Sequence, residues 1–198
     1  MRVFGIDPGS ERTGYGCVES DGRRHRLVMC GAISTEGASC FAARLGMIHG
    51  GLADRLRECA PTVVAIENLF HAINVRSALK LGHARGVALL AAVEAGLEVV
   101  EYSPSEIKRA VVGYGRAEKT QVQQMIKLLL GLPAPPSPHD AADALAVALC
   151  HVHRMPGAAA ATVLGRSAPT AAARSWRTYR PAELAVRRLP PRPGARRP

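Results

Sequence analysis

Over its first 155 residues the chain alternates short apolar runs with longer stretches of helical spacing. RVFGID (2–7) predicts a strand that ends in an acid, and PGS turns the chain. TGYGCVES (13–20) and HRLVMCGAIS (25–34) predict two more strands of a meander, separated by the polar break SDG. Leu45, Ile48, Leu52 and Leu56 recur at helical spacing, which predicts a helix over 40–60 despite Gly50 and Gly51. PTVVAIE (61–67) is a continuous apolar run, again closed by an acid, and reads as a buried strand. A long helix over 74–96 and the strand LEVVEY (97–102) follow. In SPSE (103–106), Ser precedes Glu by three residues with Pro at the first helical position, a capping box that opens a short helix. AEKTQVQQMIKLLLG (117–131) predicts another helix, closed by Gly131. PAPPSP (133–138) is a rigid linker, and Ser137 is the expected cap of a final helix containing HDAADALAVAL.

This order is three strands, then helix, strand, helix, strand and three helices. It predicts an α/β fold with a mixed five-stranded sheet flanked by helices. Sites in such sheets form beyond the carboxyl ends of strands, where Asp7 and Glu67 stand. After about residue 155 the text becomes Ala, Pro and Arg with little periodicity. The expected division is a folded domain over 1–155 and a basic, disordered tail over 156–198.

The formal charge of +10 changes meaning once it is placed along the chain. Residues 151–198 hold ten Arg and one acid, Glu183, which leaves sixteen basic and fifteen acidic residues in the first 150. The pI therefore describes the tail and does not make the folded body a nucleic-acid binder. An Arg-rich tail suits a polyanion through counterion release, and it equally suits a solubilising extension. The five cysteines (17, 30, 40, 59, 150) form no CxxC pair and read as reduced thiols. MRVFGIDPG has no signal-peptide core, and no run approaches the ~18 apolar residues of a membrane span. A cytoplasmic protein without membrane partners is expected.

The chemistry lies in four acids. Asp7 alone would be a turn-initiating Asp before Pro8-Gly9, and Glu67 alone a surface charge at a strand exit. Asp140 and Asp143, at i and i+3 on an Ala-Leu-rich helix, would be a cap and a first-turn acid. Together they point elsewhere. Two strand-end carboxylates and a helical pair that converge repel one another unless a cation neutralises them. An all-carboxylate set favours hard metals such as Mg²⁺ or Mn²⁺. Two such ions about 4 Å apart serve in-line phosphoryl displacement, the chemistry of nucleases and polymerases.

The strings FGIDPGSERTGYG, IENLF, SALKLGHARGVAL, GYGRAEKTQVQ and HDAADALAVAL occur in this order and at these spacings through residue 153. In this the chain resembles the RuvC family of crossover junction endodeoxyribonucleases. The resemblance implies a ribonuclease-H-like fold, a homodimer, and paired symmetric nicks across four-way (Holliday) junction DNA in recombination and repair. It implies Mg²⁺ or Mn²⁺, two ions per site, held by Asp7, Glu67, Asp140 and Asp143, with 5′-phosphate and 3′-hydroxyl products. His139, next to the helical pair, is a secondary metal candidate. The RuvA–RuvB branch-migration complex is an implied partner. Phe70 matches an aromatic that contacts DNA near the junction point, where it could stack on an unpaired base. Arg76, Lys80, Lys108, Arg116 and Lys119 are candidate phosphate contacts, with Lys108 and Lys119 in the better-matching segments. The 74–96 helix resembles the family's dimer element, and Ala78, Gly82, Ala84 and Gly86 would allow close approach. The C-terminal extension finds no counterpart in these motifs.

Two other classes set the contrast. A junction-binding protein without activity would be indifferent to Asp7→Asn. An actin-like ATPase, suggested by GIDPG alone, would need two lobes and adenosine-binding motifs that the body lacks.

Overall fold

The structure, a computed structural model, describes residues 1–68 and 74–155. Phe70 and the segment 156–198 lie outside the described residues. The elements run β1 (Arg2–Asp7), β2 (Arg12–Ser20), β3 (His25–Ser34), α1 (Phe41–Cys59), β4 (Val63–Glu67), α2 (Val75–Glu94), β5 (Glu98–Tyr102), α3 (Pro104–Val112), α4 (Lys119–Leu129) and α5 (His139–Arg154). This is the predicted order, with ends shifted by one or two residues.

The five strands form one mixed sheet in the order β3-β2-β1-β4-β5. β1, β2 and β3 pair antiparallel as the meander, while β4 lies parallel to both β1 and β5. The parallel pairings need crossovers, and α1 and α2 supply them. Alternation along each strand sorts side chains between two cores. Phe4, Ile6, Val64 and Ile66 face α1 and α2, whereas Val3, Val18, Val63 and Ala65 face α3, α4 and α5. Because β4 is buried on both faces, its sequence is an unbroken apolar run.

α5 is the most deeply embedded helix, with every residue from Ala144 to Cys150 buried. Leu145, Val147 and Leu149 each add roughly 1.5–3 kcal/mol of burial. α3 opens on the predicted capping box: the Ser103 hydroxyl faces the Glu106 amide, and the Glu106 carboxylate accepts from the Ser103 N–H at 3.0 Å.

Two expectations are corrected. Ser137 does not cap α5. The helix begins one residue later, on Pro138, whose carbonyl accepts from the Ala141 N–H at 3.0 Å, and the Ser137–Pro138 peptide is cis. Ala84 does not offer close approach to a partner; it is fully buried, with Ala88 and Ala92, against the sheet. Cys17 and Cys59, far apart in sequence, lie side by side in the core between β2 and the end of α1.

Candidate active site

Strand alternation decides where the acids point. Val3, Gly5 and Asp7 share one face of β1, and Val63, Ala65 and Glu67 share the same face of β4. Register pairs Ile6 with Ile66, so Asp7 and Glu67 stand side by side where the parallel strands end. Both carboxylates face α5. Beyond Asp7 the chain turns, and buried Thr13 closes the turn by donating to the Gly9 carbonyl at 2.8 Å. Beyond Glu67 the Asn68 N–H donates to the Tyr102 carbonyl at 2.7 Å, which continues the ladder and holds the strand end.

α5 reaches the acids because the sheet beneath it is nearly bare. β1 and β2 place Gly5 opposite Gly16 and Asp7 opposite Gly14. A Cβ at Gly14 would collide with the Asp140 carbonyl, and one at Gly5 with the Ala144 carbonyl. At Gly16 it would lie 2.7 Å from the Leu145 side chain. The helix therefore rests on sheet backbone, and its first two turns bring Asp140 and Asp143 over the strand ends. Sequence reasoning missed these glycines as positioning residues. The available signal was glycine inside strands, which marks close approach of another backbone.

Asp7, Glu67 and Asp143 line a cleft of about 210 Å³ with Lys108 of α3 and Lys119 of α4. Asp140 lines the adjoining groove, of about 690 Å³, with the Gly9–Arg12 turn and Arg44. Burial, then the Glu67 and Asp143 charges, push the Asp7 carboxyl up to about 8. Burial, then the Asp143 charge, also raise Glu67; the adjoining Asp7 side chain, Lys119 and Lys108 partly offset the rise. The Lys119 ammonium donates to Asp143 Oδ2 at 2.8 Å and is itself raised by that hydrogen bond. Among the described residues, no three His, Cys, Asp or Glu side chains stand ready to close round a metal ion. Crowded carboxylates that draw a lysine onto one of their number nevertheless have the chemistry of a cation site, since that contact offsets negative charge.

The other predicted residues separate. His139 is exposed, and its Nδ1 accepts from Gln123 Nε2 at 2.6 Å, so it is turned to α4 and does not line the cleft. Arg76 and Lys80 are exposed on the first turns of α2, and Arg116 is exposed between α3 and α4; none lines the cleft. Phe70 falls outside the described residues.

The family described as "Crossover junction endodeoxyribonuclease RuvC" matches residues 3–151. The chain belongs to the RuvC family. The RuvC of Koribacter versatilis is 54% identical over 154 residues, covering 77% of this chain and 93% of that protein. The RuvC of Trichlorobacter lovleyi is 50% identical over 186 residues, covering 91% of this chain and 100% of its own length. A match of that length runs past residue 155, so the extension does have a counterpart in that relative. Among solved structures, Thermus thermophilus RuvC has a TM-score of 0.71 at 38% identity, covering 77% of this chain and 95% of that one. Thermus thermophilus RuvC in complex with Holliday junction substrate has a TM-score of 0.73 at 39% identity, covering 76% and 92%. The fold is also shared with the yeast mitochondrial Holliday junction resolvase, at 13% identity and a TM-score of 0.52. The ribonuclease-H-like sheet implied by the sequence resemblance is thus the fold of this chain. No helix among its described residues is long and apolar enough to cross a membrane.

Proposed function

We propose that this chain is a Holliday junction resolvase whose Asp7, Glu67, Asp140 and Asp143 hold two Mg²⁺ or Mn²⁺ ions and hydrolyse one phosphodiester per subunit. The convergence of two strand-end carboxylates and a helical carboxylate on one cleft carries the reading. Each group plays a part that its surroundings favour. Asp7, pushed up by burial and the Glu67 charge, and Glu67, pushed up by burial and the Asp143 charge, stand side by side and would gain most from a bound cation. Asp143 faces the same cleft and Asp140 the groove beside it, one helical turn apart, so both would be available to hold the ions. Bound ions would supply an activated water and charge stabilisation at the leaving 3′ oxygen, giving 5′-phosphate and 3′-hydroxyl ends. Lys108 and Lys119 bring positive charge to the phosphate at the cleft wall. Arg76, Lys80 and Arg116 lie outside the cleft and would act on flanking phosphates, and Phe70 would stack on an exposed base near the junction point.

The active form is proposed as a homodimer built on α2. Its inner face carries Ala84, Ala88, Ala91 and Ala92, while Val75, Leu79, Leu90 and Val93 lie exposed on the opposite side, with Gly82 and Gly86 between them. An exposed apolar stripe of that kind favours an isologous partner, and two-fold pairing would give two symmetric nicks. The protein would act in the cytoplasm, with the RuvA–RuvB motor as a partner.

The test uses a synthetic four-way junction beside a linear duplex of the same sequence. Both are incubated with wild type or Asp7→Asn in Mg²⁺, Mn²⁺ or EDTA, across several junction sequences. Paired metal-dependent nicks confined to the junction and absent from the variant are expected. Tight junction binding with no cut under any metal or sequence would mean an inactive recruitment protein, and equal cutting of both substrates a general nuclease.

A further inference from the structure

Resting on the metal assignment of the four acids, we propose that Lys119 occupies the cation position at Asp143 and must be displaced for metal to bind. Metal occupancy and phosphate binding are then coupled through one side chain. Lys119 Nζ lies 2.8 Å from Asp143 Oδ2, inside the cleft that Asp7 and Glu67 share. Asp7 and Asp140 attract the same ammonium. With that lysine in place, Asp143 is engaged, and no three acids among the described residues are grouped for a metal.

The geometry suits exchange. Lys119 is the first residue of α4, so its backbone is fixed while four methylenes let the ammonium swing. Its side chain is 69% exposed, and an ion pair with one partner so exposed is weakly held. A divalent ion brings twice the charge and binds several carboxylates at once. The displaced lysine keeps its charge and remains at the mouth of the cleft, where a substrate phosphate must pass. Lys108 is the internal comparison. It lines the same cleft and has the same charge, but makes no ion pair with the acids among the described residues.

By linkage, a lysine that competes with metal for Asp143 lowers metal affinity in the free protein, and metal raises the affinity for nucleic acid by releasing it. The experiment is Mn²⁺ titration by calorimetry on the full chain, without DNA, at low ionic strength. Wild type is compared with Lys119→Gln, Lys119→Arg, Lys108→Gln and Asp143→Asn. Lys119→Gln should bind Mn²⁺ roughly three- to tenfold more tightly than wild type. Lys119→Arg should stay near wild type, and Lys108→Gln should tighten binding clearly less than Lys119→Gln does. If Lys119→Gln binds no more tightly, or if Lys108→Gln tightens binding just as much, displacement is wrong while the metal site stands. If wild type takes up no Mn²⁺, or Asp143→Asn leaves uptake unchanged, the metal assignment itself falls and takes displacement with it.

Discussion

Replacing Asp7 by Asn should make the metal-free protein more stable, although it abolishes the proposed cleavage. Burial and the adjoining acids push the Asp7 carboxyl up to about 8, from an ordinary 3.8. An acid whose pKa rises on folding binds its proton more tightly in the folded state. Its contribution to stability is full below the unfolded pKa and is lost as pH rises towards the folded one. Each unit of difference is worth about 1.4 kcal/mol, so the loss between about pH 4 and pH 8 has a ceiling near 6 kcal/mol. Glu67, beside it, is also raised by burial, and the site is not fully closed to water, so ~2 kcal/mol is the expected size. Asn carries no charge and removes the slope. Urea denaturation in EDTA should therefore find the variant close to wild type near pH 5 and about 2 kcal/mol more stable near pH 8. Adding Mg²⁺ or Mn²⁺ at pH 8 should close or reverse the gap, because a cation favours the ionised wild-type site. A variant equal to or weaker than wild type at pH 8 in EDTA would refute the reasoning, as would a gap that does not depend on pH.

Gly14→Ala should cost at least ~1–3 kcal/mol in urea denaturation, because the added methyl meets the Asp140 carbonyl at the backbone. Cleavage by the folded fraction should fall further than stability does. Ser103→Ala removes a capping box and should cost about 1 kcal/mol by the same assay. Leu79→Asp, on the exposed apolar side of α2, should shift the protein to monomer in sedimentation and turn paired nicks into single ones.

The sheet and the helix order were legible because the signals were strong and local. β4 is buried on both faces and reads as a continuous apolar run, and the Ser103–Glu106 box names its own helix start. Asp7 and Glu67 were legible as neighbours in principle, since strand ends and period-2 alternation place both on one face. What pairing alone could not supply was the third dimension. Nothing local says that Lys119, twenty-four residues before Asp143, lies against it, because that contact depends on how α4 and α5 pack. His139 and Asp140 are adjacent in sequence yet diverge by the helical step, which turns one to Gln123 and the other to the groove beside the acids. The start of α5 was misplaced because Ser137 has the chemistry of a cap but stands one residue too early. The Cys17–Cys59 pair depends on long-range packing that residue counting does not see.

The bare glycine rows under α5 also bear on how such a site survives change. In most helix-on-sheet contacts the spacing is set by interleaved side chains, so each Val-to-Ile exchange moves the helix slightly and small drifts accumulate. Here the spacer is the backbone, whose thickness no mutation alters as long as Gly5, Gly14 and Gly16 remain. The distance from strand ends to helical acids is thereby uncoupled from turnover elsewhere in the core. Sequence can diverge widely around the centre while the centre keeps its dimensions, and the constraint falls on three positions that carry no functional group.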